Sequence, residues 1–188
     1  SDVCSSDLMN RKLNVVQYNA SLQKLASSFH SGNWYLDQFL RQNIALDENY
    51  GKTYVLLSQN NKCIIGYYNL STGYLESVEE NQVRKIGGAV HINCFALTEQ
   101  YQGILQELSS EGMKIKFSDY FFVECLNRIR EIQKEKVGFS FITLCSTMEG
   151  YHLYYRNGFN ELDSDMHFSV EEAEIKCIPM YMAMDLEE

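Results

Sequence analysis

Ala89-Val90-His91-Ile92-Asn93-Cys94-Phe95-Ala96-Leu97 is followed by Tyr101-Gln102-Gly103 and then, from Ser118-Asp119, by Phe122, Cys125, Leu126, Ile129 and Ile132. The fold turns on this stretch. Its first segment, rich in apolar and β-branched residues, reads as a strand. The apolar positions after Ser118 recur at intervals of three and four, which puts them on one face of a long helix over 118–135. The connection opens with Tyr101-Gln102-Gly103 and runs on to Phe117. A helix that starts just beyond a strand end presents unpaired N–H groups there. An anion such as a pyrophosphate is the natural ligand of such a place.

The chain has 188 residues, enough for one domain around a sizeable core. Apolar residues make up 45% and charged residues 22%, which are globular rather than disordered values. The single proline, Pro179, and the lack of a glycine-serine tract argue against an interdomain linker. A net charge of −9 disfavours nonspecific binding to nucleic acid or to an anionic membrane. No apolar run reaches the length of a membrane span, and no signal peptide is visible. The six cysteines, at 4, 63, 94, 125, 145 and 177, include no Cys-x-x-Cys pair. Within strand and helix patterns a free cysteine behaves as a small apolar residue. A reducing cytoplasm is therefore expected, and metal binding is not. Ser1-Asp2-Val3-Cys4-Ser5-Ser6-Asp7-Leu8 resembles the translation of a sequencing-library adapter fused ahead of Met9, which leaves 9–188 as the expected single domain.

Before the central stretch, Leu13–Tyr18 reads as a strand and 19–29 as a short helix. Asn33 is placed to cap a helix with Leu36, Phe39, Leu40 and Ile44 on its apolar face, and Gly51 to end it. Trp34 and Tyr35, at its start, are expected as lids on the core rather than as the lining of a groove. Thr53–Ser58 and Lys62–Leu70 form a hairpin around Asn60-Asn61, and Gly66 marks a close approach within it. Residues 71–81 are expected as a polar surface extension, and 83–97 as the next strand. After the long helix come a strand over 137–144, a short helix over 147–157 ended by Gly158, an acidic irregular stretch over 163–173 and a last strand over 175–186. Antiparallel hairpins followed by β-α-β predict an α/β domain around a mixed sheet.

In their order, "FALTEQYQG", "LYYRNGF" and "PMYMAMDL" resemble the GCN5-related N-acetyltransferases over nearly the whole chain from Leu13. "FHSGNWYLDQFL", "TYVLL" and "IIGYYNLS" further resemble its toxin-type, Gram-positive-like branch. The resemblance implies a single domain with a mostly antiparallel sheet flanked by helices. It also implies a parallel pair, Val90–Leu97 with Val137–Leu144, that splays at the cofactor. The activity it implies is acetyl transfer from acetyl-coenzyme A to a primary amine. Phe95, Ala96 and Leu97 would hold the acetyl-pantetheine arm through their backbone. Gln102, Gly103, Lys116, Phe117, Ser118 and Thr147 would contact the rest of the cofactor. Tyr154, four residues before Gly158, matches the tyrosine that protonates the departing thiolate, a step the chemistry needs. A helix tyrosine packed on the core is the alternative. The acceptor stays open between a small-molecule, a protein and an aminoacyl-tRNA amine. A toxin's antitoxin and a second copy of the chain are the implied partners.

The sequence departs from that family at the pyrophosphate loop. Lys116-Phe117-Ser118 stands where a Gly-x-Gly turn is expected, and glycine is what lets backbone approach phosphate. Lys114 and Lys116 are candidates to pair with phosphates, Ser118 to cap the helix, and Asp119 to repel an anion. A binding module that has lost the cofactor loop is therefore the alternative function. His91 shares a strand face with Asn93 and Phe95 and is a candidate base. The commoner role of a strand histidine is a satisfied core residue.

Overall fold

The computed structural model describes residues 13–79, 82–107, 114–168 and 177–184. The leader expected ahead of Met9, Cys4 included, and residues 169–173 of the acidic stretch lie outside them. The chain forms two compact units, one of residues up to Tyr68 with Phe95–Asn127, the other of Asn69–Cys94 with the residues from Arg128 on. No helix among the described residues is long and apolar enough to cross a membrane.

In the first unit β1 (Val15–Gln17) pairs antiparallel with β2 (Lys52–Leu57). β3 (Ile64–Glu79) and β4 (Gln82–Leu97) follow in the sheet, each with residues in both units. From Ile64 to Leu70 every residue of β3 is buried, so this is a central strand covered on both faces. The helix α1 (Trp34–Arg41) starts where expected, because Asn33 Oδ1 accepts from the N–H groups of Tyr35 and Leu36 at 3.0 and 3.3 Å. It ends earlier than expected. Gln42 is extended (φ −89°, ψ 162°), and 3-10 turns over Asn43–Leu46 and Glu48–Tyr50 precede Gly51, whose φ of 108° closes the second turn instead of the helix. Ile44 thus belongs to a turn.

Trp34 and Tyr35 do not cover the core; they are 74% and 47% exposed. Tyr18 and Tyr67 pack beneath α1 instead, their hydroxyls donating to the carbonyls of Leu40 and Leu36 at 3.0 and 2.8 Å. The expected irregular loop between β4 and the long helix contains a two-stranded ribbon, β5 (Leu105–Glu107) with β6 (Lys114–Lys116). β6 runs straight into α2 (Phe117–Glu135), which starts one residue before the expected Ser118. Phe122, Cys125 and Leu126 are buried as the stripe predicts, joined by Phe117 and Phe121. Phe95 holds the helix to the sheet, its ring centroid 5.1 Å from those of Phe121 and Phe122.

In the second unit residues 71–79 are not a surface extension. They continue β3, with Leu75 and Ser77 buried between exposed neighbours. β4 pairs in parallel with β7 (Phe141–Ser146), from Ala89↔Phe141 to Ile92↔Leu144. β7 thus starts four residues after the expected Val137. β10 (Ile178–Ala183) pairs antiparallel with β7 and with β8 (Asn160–Glu161). β9 (Met166–His167) pairs with β3 at Glu76↔His167. Between β7 and β8 lies α3 (Tyr151–Arg156), followed by Gly158 at φ 95° and the buried Phe159. The result is the expected α/β fold: a mixed, mostly antiparallel sheet flanked by helices, with one parallel pair at its centre.

Gly66 carries the closest approach. A Cβ there would lie 2.7 Å from Leu97 Cδ2, 2.8 Å from Phe121 Cε1 and 2.9 Å from the Ala96 carbonyl oxygen. Gly66→Ala is expected to lower stability by about 1–3 kcal/mol, an overpacking cost, measured by urea unfolding. An unchanged midpoint would show that β3 and β4 tolerate a wider spacing.

Candidate functional site

The end of β4 alternates between its two faces, both of which carry packing contacts. Ile92, Cys94 and Ala96 are buried, while His91, Asn93 and Phe95 share the other face. Parallel pairing with β7 stops at Ile92↔Leu144, although β4 continues to Leu97. Just beyond it, the Thr98 N–H donates to the Ile65 carbonyl at 2.8 Å. The Thr98 hydroxyl is buried with no hydrogen-bond partner among the described residues, a cost in a protein interior. The sequence reading missed Thr98, since nothing in a lone threonine signals that its partner is absent.

Gln102 stands close to the expected residues but does something else. Its Nε2 donates to the Leu97 carbonyl and to the Ser31 carbonyl, both at 2.8 Å. Leu97, one of the three expected backbone contacts, is thereby engaged by its own chain. Gly103 is left-handed at φ 74°, with nothing among the described residues within 4 Å of where a Cβ would stand, so the turn is open to them on that side.

At the helix start the Phe117 N–H donates to the Ile104 carbonyl at 2.8 Å. Its ring is fully buried, 5.4 Å from that of Tyr101. The middle residue of Lys116-Phe117-Ser118 is thus a core residue. Lys116 is exposed at the end of β6, and Ser118 lies inside the first turn of α2 rather than capping it. Asp119 is buried in that same turn, where a carboxylate suits the helix dipole.

Facing Gln102 is a second feature the sequence did not reveal. The buried Asp37 accepts from the Ser31 N–H at 2.8 Å, the Ser31 hydroxyl at 2.6 Å and His30 Nδ1–H at 2.8 Å. Burial alone would raise its pKa, but the hydrogen bonds from Ser31 and the nearby His30 outweigh it and hold the carboxyl below its ordinary value.

The remaining expected residues belong to the second unit. Tyr154 is buried on α3, its ring edge-on to Phe159 at 6.1 Å. Its neighbour Tyr155 is 59% exposed and stacks on Tyr151. Thr147 opens the turn into α3: its Oγ1 accepts from the Gly150 N–H at 3.2 Å and its carbonyl from the Tyr151 N–H at 3.1 Å. His91 shares a 2.9 Å hydrogen bond with the Thr143 hydroxyl, and Phe168 lies 5.2 Å away, ring to ring. Burial pushes its pKa down to about 4. A neutral imidazole of that basicity is a weak acceptor of a proton from an ammonium group.

No family model and no curated protein matches the chain. Solved structures do. A bacterial toxin superposes with a TM-score of 0.64 over 92% of this chain and 92% of its own, at 16% identity. A tyrosine-to-phenylalanine mutant of KacT gives 0.66 over 92% and 95%, at 14% identity. AtaTR bound with acetyl-coenzyme A gives 0.65 over 91% and 93%, at 16% identity. The chain shares the fold of these toxins.

His91 makes stability depend on pH. Its folded pKa, about 4, lies below the ordinary 6.5, so between those values the unfolded chain binds the proton and the folded chain does not. Stability should fall as pH drops through that window, by at most about 3 kcal/mol for this group. Urea titrations at several pH values should show a shallower acid slope for His91→Gln. Identical slopes would mean that the imidazole titrates alike in both states.

Proposed function

We propose that this protein moves an acetyl group from acetyl-coenzyme A to a primary amine. One observation carries the reading: β4 continues to Leu97, five residues past its last parallel pair, in a fold shared with an AtaTR structure bound with acetyl-coenzyme A. The backbone of Phe95 and Ala96 is the rail for the acetyl-pantetheine arm. The orphaned hydroxyl of Thr98 suits that place, since an incoming polar group would satisfy it. The diphosphate end is held by the open turn at Gly103, the exposed Lys116 and the hydroxyl of Ser118. Fit is good at the rail and thin at the diphosphate, where Phe117 has taken the middle of the cradle for the core.

The amine attacks the thioester carbon, the carbon–sulfur bond breaks, and the sulfur leaves with the electron pair. In this reading Tyr154 would give its phenolic proton to that sulfur, the nitrogen would release one proton to water and the tyrosinate would regain one from solvent, which yields the amide and free coenzyme A. Positioning amine and thioester together does most of the work. His91 is given no role as base, because of its low basicity. The amine therefore arrives neutral or loses its proton to water. An aminoacyl amine is one acceptor to test, since AtaT, a structure of this fold, is solved with acetyl-methionyl-tRNAfMet. The net charge of −9 weighs against it unless a basic face is present. Structures of KacTA with DNA and of AtaT with AtaR on DNA make a cognate partner chain a further part of the proposal.

The buried Phe117 favours a second reading, a module of this fold without catalysis. Thermal melting separates the two. Coenzyme A at a hundred times its Kd should raise Tm by roughly 5–10 °C; no rise at high concentration would sink the enzyme reading. Tyr154→Phe should lower kcat about a hundredfold or more and leave the coenzyme A melting shift intact. Unchanged turnover would remove Tyr154 from the mechanism.

A further inference from the structure

We propose that Gln102 is a positioning residue: its one amide nitrogen ties the end of the thioester rail to the loop that starts α1 and presents Trp34 and Tyr35. The inference rests on β4 being that rail. A glutamine amide has two hydrogens, and here each goes to a main-chain carbonyl, Leu97 on one side and Ser31 on the other, at 2.8 Å. Two carbonyl acceptors fix the orientation of the amide, since its oxygen would be repelled in the same place. The bridge spans 71 residues of sequence.

The loop it reaches is held from both sides. From the β4 side, the Glu99 N–H donates to the His30 carbonyl at 3.0 Å, and the Glu99 carboxylate lies 3.7 Å from His30 Nε2. That carboxylate also rests against Gly32, where a Cβ would meet Glu99 Oε1 at 2.7 Å and where φ is +81°. From the α1 side, Asp37 accepts from Ser31 and His30. Asn33 then caps the helix, and the next two residues are the large exposed aromatics. A loop held from both sides, carrying two exposed aromatic rings, is a wall set beside the rail end.

Leu97 is where the two functions meet. Its carbonyl is a backbone acceptor at the end of the rail, and Gln102 has already drawn on it. A pantetheine amide that approaches this carbonyl shares it with Gln102, so occupancy at the rail is felt at Ser31 and at the start of α1. The arrangement makes the aromatic pair sense the cofactor without touching it.

The chain contains one tryptophan, and it is Trp34, so its emission reads the wall alone. Coenzyme A titrated into the full chain should change that emission saturably, over the same concentrations that raise Tm. Gln102→Glu nearly keeps the shape but sets a carboxylate against two carbonyl oxygens. It should keep most of the Tm rise and lose at least fivefold of the emission change. Gln102→Arg, which restores two N–H donors, should recover the response. If Gln102→Glu does not fold, Gln102→Leu removes the donors without adding charge and carries the same expectation. A wild-type Tm rise with no emission change overturns the inference and leaves the acetyl-coenzyme A reading standing. So does a donor-free variant that responds like the wild type, or one that no longer binds. No Tm rise in the wild type overturns both.

Discussion

The close approach of β3 to β4 at Gly66 is the constraint on which the first unit depends. Ala96, Leu97 and Phe121 all crowd the space a side chain there would need. Because that space is empty of Cβ, α2 can lower Phe121 onto the sheet, where it meets Phe95 and, at 5.7 Å, Tyr68. The Tyr68 hydroxyl then reaches Glu124 one turn further along, at 2.8 Å. These contacts fix the height and the start of α2. The position of the helix start is therefore set by this packing together with the contacts of Phe117 to Tyr101 and Ile104.

Elements with a local cause were legible in the sequence. Asn33 announced α1 because a cap acts within three residues, and the Phe122–Ile129 stripe announced α2 because helical period is a local property. Boundaries with a distant cause were not. The apolar spacing of α1 carried on through Ile44, but two 3-10 turns keep similar spacing, so the pattern could not show where the helix broke. The second half of β3 read as surface because polar residues alternate with only two buried ones, Leu75 and Ser77. Its partners are β4 and β9, and pairing is not written in composition. Trp34 and Tyr35 were misplaced because large aromatics favour burial in general. Here Tyr18 and Tyr67 had filled the space beneath α1 first.

The candidate site shows the same division more sharply. The strand itself was readable, since a strand announces its own faces, and its alternation puts His91, Asn93 and Phe95 on one side. Gln102 was noticed for its place in a motif, but its bonds go to Leu97, five residues back, and to Ser31, 71 residues back. Only the fold brings that second carbonyl within reach. The low basicity of His91 was equally invisible, because it comes from its surroundings, Phe168 and Thr143 among them, and not from the strand that bears it.

The missing glycines at the helix start have a structural cause. A Gly-x-Gly turn leaves backbone bare so that it can close on phosphate. Here β6 delivers the chain to α2 without a turn, so there is no bend for glycine to permit. The Phe117 N–H goes to Ile104 and its ring to Tyr101, which closes the ribbon onto the helix. Asp119, buried in the same turn, complements the helix dipole that an anion would otherwise meet. The residues at the helix start are thus committed to packing. In the proposed activity a diphosphate would meet the exposed Lys116 and the Ser118 hydroxyl, contacts that salt screens. In the proposed activity the burden of holding the substrate then shifts to the rail. That is the part of the site where Gly66, Thr98 and Gln102 converge.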